Sequence, residues 1–323
     1  MARAVRYHKQ GGPEVMQLDE ITVGDPGQGQ VRIRHTAIGV NFVDTYQRSG
    51  LYPMQLPQIA GNEGAGVVDA VGAGVTDLKK GDRICYTGLP GSYCELRVVP
   101  AERMVKLPDG ISEEQAASML LKGLTVHYLI HSTYPVKKGD TVLWHAAAGG
   151  VGTIACQWLK ARGVNVSATA GSDEKCALAK AHGASHVINY SKENFVERVK
   201  ALTDGKGVPV VYDSVGKNTW DGSLDCLRPR GYMVSFGNAS GPVTSFNPGL
   251  LQQKGSLYLT RPTLGSYIAA RAELVERSNA LFEVVKSGKV KIETTGRYKL
   301  ADAQQAHRDL EGRKTTGSVV LIP

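Results

Sequence analysis

The sequence lacks a disulfide framework, a long apolar run and any Cys-x-x-Cys pair. Its 323 residues contain five widely spread cysteines: Cys85, Cys94, Cys156, Cys176 and Cys226. An odd and scattered set of this kind indicates reduced thiols and predicts a cytoplasmic chain. No apolar run approaches the ~20 residues of a membrane span, and the opening "MARAVRYHK" has no apolar signal region. The sequence therefore predicts neither a membrane protein nor an exported one.

The chain also lacks a block of like charge, although its net charge is +8 and its pI is near 9.1. Basic and acidic residues alternate, as in "AELVERSNALFEVVKSGKVKIE". Nucleic-acid-binding proteins concentrate basic residues in a stripe, often with aromatic residues between them. The sequence has no such stripe and argues against nucleic acid as a partner.

The chain has two successive sequence patterns. The first ~120 residues consist of short alternating segments separated by Gly, Pro and Asp turns, which is typical of strands. After Lys137, apolar strands alternate with helical segments, and this rhythm predicts a parallel sheet with helices on both faces. A closing strand, "GSVVLIP", has no sheet of its own and is expected to return to the first domain. We therefore predict an α/β fold in which a doubly wound Rossmann domain, 125–262, is inserted in a β-rich catalytic domain, 1–124 and 263–323.

The strongest motif is "DTVLWHAAAGGVGTIACQWLK", Asp140–Lys160. An apolar strand leads into a small-residue loop, and a helix follows at once. A dinucleotide pyrophosphate requires close backbone approach and the positive end of a helix dipole. Gly149 and Gly152 match two glycines of the Rossmann fingerprint, and Ala147 replaces the first. The alternative is a glycine-rich turn that serves packing alone. The predicted contacts are Ala147, Gly149, Gly150, Val151 and Gly152.

The residues after the next strand favour NADPH over NADH. An NAD site usually has an acidic residue at the end of this strand, whereas this strand ends at Ala170 and is followed by Gly171 and Ser172. Lys175 can supply the countercharge for a 2′-phosphate, and Tyr190 can close the same pocket. The competing interpretations are that Ser172 is only a helix cap and Lys175 only a surface charge.

Loops at the carboxyl ends of parallel strands are where ligands bind in such sheets. This rule adds a further set of predicted cofactor contacts. Thr125 is interpreted as the start of the helix that enters the cofactor domain, close to the nicotinamide. Four residues follow the fourth and fifth strands: Ser214, Phe236, Gly237 and Asn238. Four histidines on apolar elements are interpreted as structural: His35, His127, His131 and His145.

With these motifs identified, the chain resembles the zinc-free NADPH:quinone oxidoreductases, the zeta-crystallin type, of the medium-chain dehydrogenase/reductase superfamily. The resemblance covers nearly the whole chain and includes "GVNFVDTYQRSGLYP", "PQIAGNEGAGVV", "HAAAGGVGTIACQWLK" and "TTGSVVLIP". It implies a GroES-like catalytic domain and a quinone acceptor in a cleft between the two domains. It also implies that Arg313 reaches back to the cofactor, the alternative being a surface charge.

The resemblance makes the metal site testable. Zinc-dependent relatives have ligands where this sequence has Asn41, Asn62 and Leu121. None of these is an ordinary zinc ligand, so we predict no metal. A quinone is already electron-poor and can accept reducing equivalents without a Lewis acid.

The turn "NFVDTYQRSGLY" carries the predicted catalytic residues Asn41, Asp44, Tyr46 and Tyr52. Asn41 and Tyr46 are expected to hydrogen-bond the acceptor or the nicotinamide, and Tyr52 to stack on or gate the acceptor. The alternatives are that the tyrosines are half-buried packing residues and that Asp44 caps a helical turn. No general base is assigned, because a quinone product can take its proton from solvent.

Two other functions stay open at this point. One is a zinc-free enoyl or alkenal reductase of the same superfamily. The other, of a different class, is an RNA-binding or structural role like that of some zeta-crystallin relatives. The segment "KGSLYLTRP" is interpreted as an edge strand, which predicts a homodimer because symmetric copies often cover exposed edges.

Overall fold

The computed structural model describes all residues, Met1–Pro323, and contains sixteen strands and ten helices. The strands are β1 (Ala2–Tyr7), β2 (Met16–Ile21), β3 (Gln30–Val40), β4 (Gln58–Ile59), β5 (Glu63–Val71), β6 (Arg83–Thr87), β7 (Leu96–Pro100), β8 (Val105–Lys106), β9 (Thr141–Trp144), β10 (Asn165–Ala170), β11 (His186–Asn189), β12 (Val208–Asp213), β13 (Leu227–Ser235), β14 (Tyr258–Thr260), β15 (Thr294–Lys299) and β16 (Ser318–Ile322). The helices are α1 (Phe42–Ser49), α2 (Glu113–Tyr128), α3 (Gly150–Ala161), α4 (Asp173–Ala181), α5 (Phe195–Leu202), α6 (Trp220–Asp225), α7 (Gly249–Gln253), α8 (Leu264–Tyr267), α9 (Arg271–Lys286) and α10 (Ala303–Glu311).

The chain forms two compact units. Unit 1 comprises Met1–Leu124, Ile268–Lys286 and Ile292–Pro323, and unit 2 comprises Thr125–Tyr267 and Ser287–Lys291. None of the helices combines the length and the apolar character that a membrane span requires.

Unit 1 is built mainly from antiparallel strands. A seven-stranded sheet has the order β15-β16-β3-β5-β6-β8, with β7 also paired to β3. A smaller sheet has the order β2-β1-β4. The closing strand β16 pairs with β3 through Leu321 opposite Ile38, which confirms that the end of the chain returns to the first sheet. Residues of both sheets and of α10 share one apolar core, including Val5, Ile38 and Ala306.

The helix α1 follows directly from β3 and positions several predicted site residues. Asn41 is its N-cap in extended conformation, and Gly50 ends it in the left-handed region at φ 88°. A non-glycine residue is strained there, so the sequence "NFVDTYQRSG" specifies both ends of this short helix.

Unit 2 is a six-stranded sheet with the order β11-β10-β9-β12-β13-β14. All five strand pairings are parallel. This is the doubly wound Rossmann order, and its direction reverses between β9 and β12, where such folds bind ligands. The fold class predicted from the strand–helix rhythm is confirmed. Strand β12 is buried along its whole length, as expected when helices cover both faces of a parallel sheet.

Candidate functional site

The first cluster of polar side chains lies in unit 1, where α1 begins. The Asp44 carboxylate is buried and accepts three hydrogen bonds. The donors are the Asn41 backbone N–H at 2.8 Å, the Tyr93 hydroxyl at 3.0 Å and Asn62 Nδ2 at 2.8 Å. Asp44 therefore caps its own helix, which was the structural alternative for this residue, and it also joins two distant segments to α1.

Burial governs the charge of Asp44. Desolvation raises the pKa of this carboxyl to about 6, while the hydrogen bonds from Asn62, Asn41 and Tyr93 act in the opposite direction. The side chain therefore titrates close to neutral pH. A group with this property can hold or release a proton under physiological conditions, although its predicted catalytic role stays a prediction.

Behind Asp44, a directed chain of hydrogen bonds runs to the surface of unit 1. Arg48 is only 2% exposed, and its guanidinium donates to His307 Nδ1 at 2.9 Å and to the Glu311 carboxylate at 2.6 and 3.1 Å. Arginine cannot accept, so the neutral His307 bears its proton on Nε2 and donates it to the Tyr93 hydroxyl at 3.0 Å.

The protonation states of His307 and Tyr93 are consistent with the direction of these hydrogen bonds. Burial and the neighbouring Arg48 charge lower the pKa of His307 to about 3, and burial raises the pKa of Tyr93 well above its usual range. Both groups are therefore neutral near pH 7. Tyr93 accepts from His307 and donates to Asp44, so the positive charge of Arg48 is transmitted as polarised hydrogen bonds towards the carboxylate.

Two of the positions that bind zinc in related dehydrogenases are occupied by amides that donate to carboxylates. Asn62 Nδ2 donates to Asp44 and, at 2.6 Å, to Gln47 Oε1. Asn41 Nδ2 donates at 2.8 Å to Glu63 Oε2. The third position is Leu121, whose backbone N–H donates to Glu63 Oε1 at 2.7 Å. The structure contains no group of three His, Cys, Asp or Glu residues that could hold a metal ion.

The predicted aromatic residues lie together on and after α1. The rings of Tyr46 and Tyr52 meet edge to face, with centroids 5.3 Å apart, and Phe42 lies 6.2 Å from Tyr46. The Tyr52 backbone N–H donates to the Tyr46 carbonyl at 3.0 Å. Tyr52 is 36% exposed, so part of this edge-to-face pair is accessible at the surface of unit 1.

The second site is the loop between β9 and α3 in unit 2. Gly149 is the N-cap of α3, and no side chain caps this helix. The first N–H groups of an α-helix have no partner within the helix, so those of Gly150, Val151 and Gly152 are available to an anion. Around Gly149 an added Cβ would meet only the Ala146 carbonyl, at 3.3 Å. The loop therefore has the space and the donors that a pyrophosphate requires.

The same loop is packed tightly on its inner side. A Cβ on Gly152 would lie 2.5 Å from Ala147 Cα and 2.6 Å from the Ala146 carbonyl oxygen. The Ala147 N–H donates to the Thr169 carbonyl at 3.0 Å, which ties the loop to β10. Ala146, which the sequence analysis missed, adopts the left-handed conformation at φ 53°. Alanine gives no local signal for this conformation, since glycine normally fills it.

A series of buried, hydrogen-bonded side chains begins at His145, directly before this loop. His145 lies between the Thr169 hydroxyl at 2.8 Å and the Ser223 hydroxyl at 3.0 Å, and Ser223 donates to Asp213 Oδ2 at 2.8 Å. Asp213 Oδ1 accepts from the N–H groups of residues 215 and 216. Burial lowers the pKa of His145. The buried histidine links the ends of three strands, and its structural role stays a prediction.

The predicted 2′-phosphate region lies at the end of β10. The Ser172 hydroxyl accepts from the Lys175 N–H and so caps α4, which was the structural alternative for Ser172. Tyr190 is 38% exposed, and its hydroxyl would be 2.8 Å from a Cβ on Gly171. Tyr190 therefore packs directly over the backbone of Gly171. Asp173 lies in the first turn of α4 and pairs with Lys192.

The loops after β12 and β13 meet at the same edge of the sheet. A Cβ on Gly237 would lie 2.3 Å from the Ser214 carbonyl oxygen, so the two loops are in direct contact. Arg261 donates at 3.0 Å to the Gly237 carbonyl. Phe236 packs on Trp144 with ring centroids 5.7 Å apart, and the Asn238 carbonyl accepts from the Gly241 N–H. The structure thus brings this predicted group together in unit 2.

One structural expectation for the cofactor residues is wrong. Thr125 does not begin a helix but lies in the last turn of α2, because the Ser112 hydroxyl caps that helix at its start by accepting the Gln115 N–H. Arg313, in unit 1, adopts the left-handed conformation at φ 57° after α10. The cofactor contacts assigned to both residues stay predictions.

Sequence reasoning missed four side chains of the unit 1 cluster: Arg48, Glu63, Tyr93 and His307. Glu63 had a detectable signal, since an acidic residue stands in the small-residue strand "GNEGAGVV". The other three had none. Tyr93 lies 49 residues from Asp44, and His307 lies 214 residues from Tyr93.

Comparisons with known proteins agree with this architecture. Residues 27–109 match the family model of the alcohol dehydrogenase GroES-like domain, and residues 150–278 match that of the zinc-binding dehydrogenases. The chain is 55% identical to a quinone oxidoreductase of Pseudomonas aeruginosa, with 100% of both chains covered. It is 46% identical to the 2-haloacrylate reductase of a Burkholderia species, over 100% of this chain and 99% of the relative.

Among solved structures, the chain superposes on Escherichia coli quinone oxidoreductase complexed with NADPH. The TM-score is 0.98 at 52% identity, with 100% of both chains covered. The resemblance inferred from the motifs is therefore confirmed: the chain belongs to the quinone oxidoreductase family of the medium-chain dehydrogenase/reductase superfamily.

Proposed function

We propose that this protein is an NADPH-dependent quinone reductase. The observation that carries the proposal is its full-length identity of more than half to quinone oxidoreductases, one of them solved with NADPH. The loop of unit 2 fits the cofactor, because an uncapped helix start and an open Gly149 face the position of a pyrophosphate. When bound, NADPH supplies the hydride of the reaction.

The residues of unit 1 are proposed to orient the acceptor. Tyr46 and Tyr52 supply two aromatic rings set edge to face, and a planar acceptor can stack on the face of one of them. Asn41, held by Glu63, and Asp44, held by three donors, keep fixed positions beside it. A fixed polar frame contributes to rate by holding reacting groups in place without later reorganisation.

The reaction is proposed to be metal-free. At the three positions that bind zinc in related enzymes, two side chains are amides that donate to carboxylates and the third is Leu121. Amide nitrogens engaged in this way do not act as zinc ligands. Metal analysis of the purified protein, with activity measured before and after chelation, tests this step. Stoichiometric zinc with activity lost on chelation would contradict it.

The assay of function follows NADPH absorbance with a quinone, a conjugated enone and 2-chloroacrylate as acceptors. We expect the highest kcat/KM with the quinone. The 2-haloacrylate reductase among the relatives favours a second candidate, reduction of a conjugated carbon–carbon double bond. A higher kcat/KM with the enone or the haloacrylate than with any quinone would establish that candidate instead.

Preference for NADPH over NADH is proposed to rest on Ser172, Lys175 and Tyr190 around Gly171. Lys175 offers a charge for the 2′-phosphate from the first turn of α4. Replacing Lys175 with glutamate is expected to weaken NADPH binding about tenfold or more, while NADH binding changes little. Equal activity with both cofactors in the unchanged protein would overturn this assignment.

We also propose that the protein is a cytoplasmic homodimer. All five cysteines are free and buried, which suits a reducing compartment. Strand β14 forms one edge of the unit 2 sheet, and its Tyr258 is 52% exposed while stacking on Tyr232. A second copy can cover such an edge. Light scattering is expected to give twice the 34.6 kDa chain mass, and a monomer mass would contradict the dimer.

A further inference from the structure

Glu63 is a carboxylate held rigidly in the interior of unit 1. Its side chain is 0% exposed, and each oxygen accepts a hydrogen bond, from the Leu121 N–H and from Asn41 Nδ2. Gly39 lies opposite on β3, and a Cβ there would be 2.2 Å from Glu63 Oε2. A side chain at position 39 would therefore collide with the carboxylate.

Lys122 is the cation paired with this carboxylate. The residue is 6% exposed, and its Nζ lies 3.5 Å from Glu63 Oε2. That separation supports an ion pair at the outer limit of a hydrogen bond, and no other group accepts a hydrogen bond from the buried ammonium. Burying an ammonium is costly unless its charge is paired, and Glu63 is the carboxylate that pairs with it.

The ionisation of Glu63 decides how the Asn41 amide is oriented. An ionised carboxylate can only accept hydrogen bonds, so Asn41 must turn its NH₂ group towards it. A protonated carboxyl can also donate, and would then accept the opposite orientation of the amide. Burial raises the pKa of Glu63, and the Lys122 charge is the largest effect that lowers it again.

We propose that Lys122 is a positioning residue that acts through Glu63 on Asn41. It keeps the carboxylate ionised and thereby fixes the Asn41 amide with Nδ2 inward. Oδ1 is then the acceptor that the amide keeps for the carboxamide N–H of the bound nicotinamide, because a quinone has no donor to offer. This inference rests on the proposed function, because it assigns Asn41 to the reductase site.

Other titratable groups that interact with Glu63 are Asp44, Cys85, Tyr86 and Tyr93. Burial raises the pKa of the thiol and of both phenols, so these stay neutral in the assay range. Asp44 does titrate there. The Glu63 charge contributes to the raised pKa of Asp44, so the variants are compared with wild type as a ratio at each pH and the infrared spectra assign the titration to Glu63.

The experiment measures kcat for NADPH oxidation by a quinone, from about pH 5.5 to about pH 9, in wild type, Lys122→Met and Glu63→Gln/Lys122→Met. An exposed lysine change, Lys289→Met, is the matched control. We expect Lys122→Met to lose about tenfold or more in kcat at low pH and to recover as Glu63 ionises at higher pH. The double variant has no carboxyl at position 63 and is expected to give a ratio that stays low at high pH. It also provides a neutral buried pair if the single variant folds poorly.

A second readout does not depend on turnover. The infrared difference spectrum between Lys122→Met and the double variant at low pH is expected to contain a protonated-carboxyl band of Glu63, because the band of neutral Asp44 is common to both proteins and cancels. If kcat per folded Lys122→Met molecule keeps the wild-type pH profile, or if that band is missing, the proposal is overturned. If none of the quinones tested supports NADPH oxidation by wild type, the proposed function fails. The infrared comparison of the variants still decides whether Lys122 keeps Glu63 ionised.

Discussion

The polar cluster of unit 1 and the loop of unit 2 use opposite means to manage charge. The cluster buries ionisable side chains, Arg48, Asp44 and Glu63, and fixes each with partners from distant segments. The loop uses almost no charged side chains and offers backbone N–H groups between small residues. Charge that belongs to the protein requires a network of side chains, whereas charge brought by a ligand is met by backbone and open space.

If the loop depends on close backbone packing, a side chain at Gly152 must disrupt it. Gly152→Val is expected to lower the free energy of unfolding by about 3 kcal/mol, because the atoms that its Cβ would meet are backbone and cannot move aside. Urea denaturation measures this. Gly265→Ala is the control, since nothing lies within 4 Å of its added Cβ. If the two variants have the same free energy of unfolding, the loop does not depend on close backbone packing at Gly152.

The network of unit 1 predicts a comparable loss when its cation is removed. Arg48→Met is expected to cost about 2–3 kcal/mol, below the usual value for a broken buried pair because Glu311 is 35% exposed. The control, Arg3→Met, removes a pair in which the arginine is 52% exposed. That change is expected to cost less than about 1 kcal/mol. If urea titration gives similar decreases in the free energy of unfolding for Arg48→Met and Arg3→Met, burial of Arg48 does not increase its contribution to stability.

The ionisation of Asp44 makes the stability of the unit 1 cluster depend on pH, which is not expected for the loop of unit 2. Its pKa in the folded protein, about 6, is above the ordinary value of 3.8. The stability that the neutral carboxyl contributes is therefore present at low pH and lost as the pH rises through 6. Relative to Asp44→Asn, wild type is expected to lose about 2 kcal/mol between about pH 4 and about pH 7. Denaturation of both proteins across this range checks it, and a constant difference would contradict it.

The smallest effect is expected for the buried chain under the loop. Ser223→Ala leaves His145 and Asp213 without the hydroxyl between them, at a cost of about 1–2 kcal/mol. Thermal or urea unfolding measures the loss, with the exposed Ser49→Ala as control. We also expect weaker NADPH binding, because Asp213 holds the backbone of residues 215 and 216. If Ser223→Ala has the same free energy of unfolding as wild type, the hydroxyl between His145 and Asp213 does not stabilise the fold.

The two regions differ in how far sequence could predict them. The loop of unit 2 and the parallel sheet depend on local patterns, namely small residues, strand–helix alternation and a helix start, so both were predictable. The left-handed Ala146 was not, because alanine does not favour that conformation. The catalytic turn was identified from its polar and aromatic residues. Its supporting partners Tyr93 and His307 were not, because only the folded sheet and α10 bring them to Asp44.

The central claim is that the loop of unit 2 binds the cofactor and the cluster of unit 1 orients the acceptor. Measuring the NADPH dissociation constant and kcat at saturating NADPH in Lys175→Glu and Asn41→Ala tests it most directly. Lys175→Glu is expected to raise the dissociation constant about tenfold or more with kcat nearly unchanged. Asn41→Ala is expected to lower kcat about tenfold or more, with the dissociation constant within about threefold of wild type. If both variants change both quantities in the same proportion, the division of labour is wrong.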